Sequence, residues 1–172
     1  MWKQQLIHLL TVDKPERTNM NKFEIVSDEM LNKYNLARED ITLPTRSTKG
    51  AAGYDIYAPV DMEIPGHMTQ IIPLGIKTYI GFGYYLQIVP RSSIGIKRHL
   101  MLPNTVGIID EDYVDNPDNE GMMFCGFYNY MGENVKIKKG ERIAQAIFVP
   151  YGVTVDDNVE SERVGGIGST GV

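Results

Sequence analysis

Five short segments carry residues whose types and spacing suit chemistry on a charged ligand. They are residues 51–56, 90–95, 104–113, 140–145 and 165–171. Together they offer carboxylates, hydroxyls, side-chain amides, guanidinium groups and closely spaced glycines. Such groups can hold a hard cation, bind phosphate oxygens and take a proton from water.

The first two segments suggest a cation and a phosphate. Asp55 stands beside a glycine turn, where its carboxylate can reach a hard cation directly or through water. In the second segment Pro90 ends a strand, so the residues after it leave the sheet. The guanidinium of Arg91 and the hydroxyls of Ser92 and Ser93 then suit phosphate. Taken singly, each segment also fits an ordinary polar turn.

The third segment brings three acids and a tyrosine to the end of an apolar run, with an amide before the run. Asp110, Glu111 and Asp112 follow that run and precede Tyr113. A carboxylate held near an apolar wall can act as a general base toward water. Asn104 can read the edge of an amide-like base, because its side chain both donates and accepts. An acidic loop on a solvated face is the alternative.

The fourth and fifth segments suggest further ligand contacts. Gln145 lies within an otherwise apolar strand and needs a partner if it is buried, which a ligand or the backbone can supply. The glycines and hydroxyls of residues 165–171 are similar to loops that cradle phosphate, although no lysine follows as in a P-loop. A mobile tail is the alternative for this last segment.

Composition limits the class of protein that positions these residues. The 172 residues include 42% hydrophobic and 23% charged residues, as in one globular domain. The net charge of -5 argues against non-specific binding of nucleic acid. The single cysteine excludes an intrachain disulfide, and no apolar run approaches a membrane span. We therefore expect a cytoplasmic protein.

Hydrophobic periodicity predicts one short helix and then many strands. Residues 27–37 suit a helix that is capped by Ser27, with Met30, Tyr34 and Ala37 on one face. From about Ile41 the pattern changes to period two. The pattern divides the chain into an N-terminal extension (1–40), a β domain (41–160) and a glycine-rich tail (161–172).

Alternating residues indicate the strands, and glycines and prolines separate them. Ile72, Leu74 and Ile76 alternate with Pro73, Gly75 and Lys77. Leu86 with Ile88 and Val135 with Ile137 show the same period of two. The apolar run 143–149 predicts a more fully buried strand. Many short strands with regular turns are typical of an all-β sandwich or jelly roll.

In order and spacing, the five segments resemble the five motifs of the trimeric dUTP pyrophosphatase (dUTPase) family, over residues 43–172. The resemblance implies a jelly-roll subunit and a homotrimer whose three sites each draw on all three chains. A flexible C-terminal tail would close over each site. The implied reaction is Mg²⁺-dependent hydrolysis of dUTP to dUMP and diphosphate, which keeps uracil out of DNA and supplies dUMP for dTMP synthesis.

The resemblance also implies a role for each site residue. Asp55 would hold Mg²⁺ through water, Asp110 would be the base toward the attacking water, and Tyr113 would lie under the deoxyribose. Asn104 would contact uracil on a hairpin that spans roughly residues 96–109 and contains Gly107. The remaining substrate contacts would be Arg91, Ser92, Ser93, Gln145, Arg163, Ile167, Gly168, Ser169 and Thr170.

Three features depart from the family pattern. Ile167 stands where an aromatic residue usually stacks on uracil, and Arg163 lies one position after the usual tail arginine, at whose place Glu162 stands. Residues 114–118 look like an inserted surface loop near the site, to which the sequence assigns no role.

Two other functions stay open at this point. A dCTP deaminase would share the subunit fold, although the acidic third segment and the glycine-rich tail favour a dUTPase. A binding or regulatory protein is the second alternative, since phage-encoded members of the family also bind repressor proteins.

Overall fold

Strands dominate the computed structural model, which describes residues 21–161, 163, 165 and 166. Two short helices, α1 (Asp28–Lys33) and α2 (Ser92–Arg98), and two 3-10 turns (Arg38–Asp40 and Glu111–Tyr113) accompany them. The strands are β1 (Lys22–Ile25), β2 (Tyr54–Tyr57), β3 (Met62–Ile64), β4 (Thr69–Pro73), β5 (Ile76–Tyr79), β6 (Tyr84–Pro90), β7 (Leu100–Met101), β8 (Gly107–Ile109), β9 (Phe124–Asn129), β10 (Val135–Ile137) and β11 (Arg142–Pro150).

The strands form one four-stranded sheet, one three-stranded sheet and two pairs. The four-stranded sheet has the order β2-β11-β6-β8, and the three-stranded sheet has the order β4-β9-β7. The pairs are β1 with β5 and β3 with β10. Every strand pairing in the described part of the chain is antiparallel, which fits the predicted all-β jelly roll.

The core lies between the sheets and follows from the alternation of side chains. Leu86 and Ile88 point inward from β6, Phe127 from β9, and Ile143 from β11, and each is essentially inaccessible to solvent. Successive side chains of a strand point to opposite faces, so period-two apolar patterns produce one buried face. Beyond Ala146, β11 is only half-buried, so the expected full burial of residues 143–149 holds for its first half alone.

The N-terminal residues from 21 onward pack on the sheets. β1 pairs with β5, and α1 contributes Met30 and Leu31 to a second apolar cluster that includes Met122. The Ser27 hydroxyl accepts a hydrogen bond from the Met30 N–H at 3.1 Å, as expected for a helix cap. The predicted helix over 27–37 is too long, because Asn35 adopts a left-handed conformation (φ 54°) two residues after α1 ends.

The alternation at Ile72, Leu74 and Ile76 belongs to two strands rather than one. Gly75 separates β4 from β5 with φ 69°, and the two strands then pair with different partners. A side chain at Gly75 would also meet Ile41 at 2.6 Å. At these three buried residues the chain therefore passes from one sheet to another strand pair. Periodicity alone does not distinguish such a passage from one continuous strand.

No helix in the described residues is long and apolar enough to cross a membrane.

Candidate active site

The first group of predicted site residues meets where β2, β6 and β11 lie side by side. Asp55 on β2 lies opposite Gln145 on β11, and Arg91 follows the last residue of β6. The Arg91 Nε lies 3.1 Å from the Asp55 Oδ1. Pairing of three strands that are distant in sequence thus brings segments one, two and four together.

Asp55 is the centre of this group and is 6% exposed. Its Oδ2 accepts from the Ser47 hydroxyl at 2.6 Å and lies 3.2 Å from Arg142 Nη1. Two guanidinium groups around one carboxylate leave a net positive charge. Because Arg91 is only half-buried, its remaining donors suit the oxygens of an anionic ligand.

Sequence reasoning did not identify Ser47 or Arg142. Arg142 stands in the fourth segment, but β11 has a register irregularity between Arg142 and Ala144. The period-two pattern does not show which way a side chain points at such a bulge. Its position beside the predicted Gln145 was the one available signal.

Gln145 and the two serines complete the group. A Cβ at Gly53 would lie 2.5 Å from the Gln145 Oε1, so a larger residue there would force the Gln145 side chain to move. Ser92 and Ser93 are exposed in the first turn of α2, where the sequence predicted a polar turn rather than a helix. Their hydroxyls therefore remain accessible beside Arg91.

The second group lies on β8 and the 3-10 turn that follows it. Asn104, Gly107, Asp110 and Tyr113 line one pocket of about 260 Å³. Its other lining residues are Ile88, Ile108, Ile109, Phe124, Arg163 and Gly166. The third segment therefore brings Asn104, Gly107, Asp110 and Tyr113 to one concave site, while Asp110 and Asp112 remain more than half exposed.

The expected hairpin over residues 96–109 is wrong in detail. Its first three residues, 96–98, belong to α2, and β7 pairs with β9 whereas β8 pairs with β6. A Cβ at Gly107 would lie 3.1 Å from the Ile88 Cβ, so glycine lets β8 approach β6 closely. Non-local pairing with two different sheets prevents the two strands from forming a hairpin.

Arg163 lines this pocket and forms ion pairs with Asp110 inside it and with Asp112 beside it. Its Nη2 contacts the Asp110 carboxylate, and its Nε donates to the Asp112 Oδ1 at 2.8 Å. The guanidinium also lies 5.6 Å from the centre of the Tyr113 ring, within range of a cation–π contact. The hydrogen bond to Asp112 raises the pKa of Arg163, so this side chain stays charged.

Tyr113 is buried, with its hydroxyl turned into the protein. That hydroxyl donates to the Met122 carbonyl at 3.2 Å and accepts from the Asn119 Nδ2 at 2.9 Å. Burial raises the pKa of Tyr113, so the phenol stays protonated at neutral pH. The loop expected to be a surface insertion is thus partly buried, and Asn116 and Asn119 are site-supporting residues that the sequence did not reveal.

Arg91 and Asp110 are far apart within one chain. Ile109 is in register with Leu86 on β6, so Asp110 lies near the level of Tyr85. Tyr85 and Arg91 are six residues apart, so at the rise of a strand Asp110 and Arg91 are separated by roughly 20 Å along β6, whereas Gly107 is in register with Ile88 and lies nearer to Arg91. Ile167, Gly168, Ser169 and Thr170 lie outside the described residues.

Within the described part of the chain, no three His, Cys, Asp or Glu side chains form a group that could hold a metal ion. Asp55 stands as one carboxylate between two arginines. Both Asp55 oxygens already contact other side chains, so this group alone does not form a cation site, and a hydrated Mg²⁺ there would need phosphate oxygens as its direct ligands.

Comparison with known proteins identifies the family. The protein-family model described as dUTPase matches residues 39–171. The deoxyuridine 5′-triphosphate nucleotidohydrolase of Lactococcus lactis subsp. lactis (strain IL1403) is 46% identical over 145 residues, which cover 83% of this chain and 95% of that protein. The enzyme of the same name from Haemophilus influenzae (strain PittEE) is 37% identical over 140 residues, with coverage of 77% and 89%.

Solved structures agree. The crystal structure of dUTPase from Streptococcus mutans is similar with a TM-score of 0.68 and 36% identity, and covers 78% of this chain and 98% of its own. A mutant dUTPase from phage phi11 of S. aureus, described with a structural Mg(II) ion, has a TM-score of 0.64 and 21% identity, covering 83% and 98%; this likeness concerns the fold. The family match, the identities and the shared fold lead to one conclusion: this chain belongs to the dUTPase family.

Proposed function

We propose that this chain is a dUTP diphosphatase, which hydrolyses dUTP to dUMP and diphosphate. The observation that carries this proposal is the pocket in which Asn104, Asp110 and Tyr113 converge in a chain of the dUTPase family. The name shared by the Lactococcus and Haemophilus relatives supports the same substrate.

Asp110 is the general base in this proposal. Its side chain is 53% exposed, so it can reach a water molecule in the pocket. By taking a proton from that water it would promote in-line attack on the α-phosphate. Arg163 contacts the same carboxylate and can hold its orientation or move to phosphate oxygens.

Asn104 and Tyr113 would select the nucleoside. The carboxamide of Asn104 offers a donor and an acceptor that can match uracil, whereas cytosine reverses that pattern. A reversed pattern leaves buried polar groups unpaired, which can give roughly 10⁴-fold discrimination. Tyr113 presents its ring to the pocket, and we assign it the face of the deoxyribose, where it leaves no room for a 2′-hydroxyl.

The group around Asp55 would bind the phosphates. Arg91, Ser92, Ser93 and Gln145 are the donors there, with Arg163, Gly168, Ser169 and Thr170 added from the tail and Ile167 covering the base. Asp55 would hold hydrated Mg²⁺ through water. When bound, the ion would neutralise charge on the phosphates and fix their geometry.

A homotrimer is the assembly in this proposal, and the distance between Arg91 and Asp110 supports it. Arg91 and Asp110 of one chain are too far apart to reach the same phosphate, whereas a neighbouring copy can supply the missing group. A site between symmetric copies is compatible with a closed ring of three chains. The separation of roughly 20 Å along β6 supports this assembly.

Release of diphosphate from dUTP, dCTP, dTTP and UTP, with and without Mg²⁺, tests the proposal. We expect turnover of dUTP alone, and only with the metal. Ammonia release from dCTP would instead indicate a deaminase. Comparable kcat/KM values on dUTP and dCTP would contradict the pocket assigned to Asn104.

A further inference from the structure

Residues 114–121 form a compact loop between Tyr113 and the strand that follows. The Asp115 N–H donates to the Glu120 carbonyl at 3.1 Å, and the Glu120 N–H donates to the Asn116 carbonyl at 2.9 Å. Asp115 and Glu120 both adopt left-handed backbone conformations, with φ of 57° and 56°. Non-glycine residues adopt this conformation at a cost, so the loop has one imposed shape rather than many.

Two buried asparagines fill the interior of this loop. The Asn119 Oδ1 accepts from the Asn116 Nδ2 at 2.8 Å and from the Gly121 N–H at 3.0 Å. The Asn116 Nδ2 also donates to the Tyr113 carbonyl at 2.8 Å. Because both acceptor sites of the Asn119 oxygen are occupied by N–H donors, its amide orientation is fixed, and its Nδ2 must point at the Tyr113 hydroxyl.

That hydroxyl is held from both sides. It accepts from the Asn119 Nδ2 at 2.9 Å and donates to the Met122 carbonyl at 3.2 Å. A phenol with one donor and one acceptor partner at its tip cannot tilt without breaking one of these bonds. The ring of Tyr113 is therefore oriented by the loop through its hydroxyl, while Tyr113 also lines the pocket.

The same loop meets the tail. The Asp118 Oδ2 accepts from the Gly166 N–H at 2.8 Å, and a Cβ at Gly166 would lie 3.1 Å from the Asn119 Nδ2. Asn119 thus lies between Tyr113 and the segment that enters the pocket. On its opposite side the loop contacts α1, where the Glu120 Oε2 accepts from the Ser27 N–H at 3.0 Å.

We propose that Asn119 is a positioning residue that fixes the Tyr113 ring and thereby sets the discrimination between deoxyribose and ribose. This inference rests on the proposed function for its effect on substrates. Asn119 acts through the Tyr113 hydroxyl, and its remaining hydrogen bonds hold its own amide in place. The loop that interrupts the family pattern is then part of the substrate pocket.

The test compares kcat/KM for dUTP and UTP in Asn119→Ala, Tyr113→Phe and the double variant. Asn119→Ala removes the donor and Tyr113→Phe removes the hydroxyl, so each breaks the same bond. We expect the dUTP-to-UTP ratio to fall about three- to tenfold in each single variant. The double variant should fall no further, since both changes remove one interaction.

Glu120→Ala is the matched control within the loop. It removes the contact with Ser27 and leaves the Tyr113 hydrogen bonds in place. It should lower the melting temperature without changing the dUTP-to-UTP ratio. Asn119→Ala could instead keep the wild-type dUTP-to-UTP ratio and lose about as much melting temperature as Glu120→Ala. Asn119 would then be a structural residue only, and the inference would be overturned.

A second readout does not depend on turnover. In protein labelled with 3-fluorotyrosine, the Tyr113 resonance is the one of ten tyrosine signals that is lost in Tyr113→Phe. Asn119→Ala should accelerate flipping of this ring, and Glu120→Ala should not. Unchanged ring flipping in Asn119→Ala overturns the inference even if dUTP is hydrolysed. A wild-type chain inert toward dUTP overturns the proposed function, and with it the claim about sugar discrimination.

Discussion

Asp110 and Asp112 share one cation, yet only one of them faces the pocket as a base. Their side chains are 53% and 54% exposed, and both contact the guanidinium of Arg163. Asp110 also lines the pocket with Asn104 and Tyr113, whereas Asp112 does not. Asp110 and Asp112 therefore have nearly equal exposure and the same cationic partner. They differ in that Asp110 alone lines the pocket.

Replacement of Asp110 by Asn should lower kcat on dUTP by roughly 10²- to 10⁴-fold, because an amide cannot accept the proton of the attacking water. Binding of a non-hydrolysable dUTP analogue and the far-ultraviolet circular dichroism spectrum should stay near wild type. Asp112→Asn loses the same kind of contact with Arg163 and should keep most of the turnover. Equal losses of kcat in the two variants would show that charge balance, rather than proton transfer, underlies the effect.

Residue types predicted the residues that line the pocket, but they did not predict the buried asparagines that hold Tyr113 in place. Asn104, Asp110 and Tyr113 were predicted from local chemistry and the family pattern, and they meet in one pocket. Asn116 and Asn119 were not predicted, because an asparagine in a loop rich in Asp, Asn and Pro has the same local sequence whether it is solvated or buried. Only the folded loop shows their partners.

The rigidity of loop 114–121 can be tested by comparing two glycines, one inside the loop and one outside it. Gly121 has φ 76°, and a Cβ there would lie 2.6 Å from the Val114 Cα. Gly140 has the same φ of 76°, but a Cβ there would meet nothing within 4 Å. The two glycines therefore share the conformational requirement and differ in the space around them.

We expect Gly140→Ala to lower the free energy of unfolding by roughly 1–2 kcal/mol, the cost of a left-handed alanine. Gly121→Ala should lose roughly 1–3 kcal/mol more, because its methyl group collides with backbone rather than with a flexible side chain. Urea denaturation of both variants measures the difference. Equal midpoints would mean that the loop shifts without cost, and that it cannot hold Tyr113 rigidly.

Periodicity predicted which segments are strands and missed how they connect. Leu86 with Ile88 and Val135 with Ile137 lie in β6 and β10 as expected. The continuous strand through Gly75 and the hairpin over 96–109 were wrong, because their outcome depends on pairing with distant strands, and the helix was predicted too long, because Asn35 adopts a left-handed conformation after α1. Sequence patterns report burial of one face, whereas the choice of partner is a property of the whole sheet.

The buried thiol of Cys125 provides a measure of how well the core excludes water. Its thiol is 1% exposed, and burial raises its pKa from 9.0 to about 12. A raised pKa in the folded state means that the thiol stabilises the fold below pH 9, and that this contribution is lost as the pH rises toward 12. Tyrosines titrate in the same range, so the thiol must be isolated by comparison with a variant.

In urea denaturation between pH 8 and pH 11, Cys125→Ala should lose less stability with rising pH than the wild type does. At pH 8 a neutral alkylating reagent should label the wild type only as fast as the core opens, because the native thiol is protonated and inaccessible. Rapid labelling of the folded protein would contradict the burial of β9 against the other strands.

At the scale of the assembly, Arg91 and Asp110 lie too far apart in one chain to act on the same phosphate. Arg91 lies at one end of β6, and Asp110 lies near its other end. In the proposed assembly the phosphates contact Arg91 of one copy, and the Asp110 that serves them comes from a neighbouring copy, because Arg91 and Asp110 of one chain are roughly 20 Å apart along β6. If each site takes Arg91 from one copy and Asp110 from another, two different inactive variants must complement each other.

Asp110→Asn and Arg91→Ala subunits, each inactive alone, should regain activity when co-expressed with different affinity tags and purified as mixed trimers. With random mixing at equal amounts, about a quarter of the sites would receive an intact Arg91 from one copy and an intact Asp110 from its neighbour. Mixing Asp110→Asn with Asp110→Ala subunits gives the control, because no site then has a carboxylate base at this position. Purified homotrimers combined without subunit exchange should also stay inactive. If the mixed trimers show no more turnover than this control, both groups act within one chain, and the proposed assembly of the site is wrong.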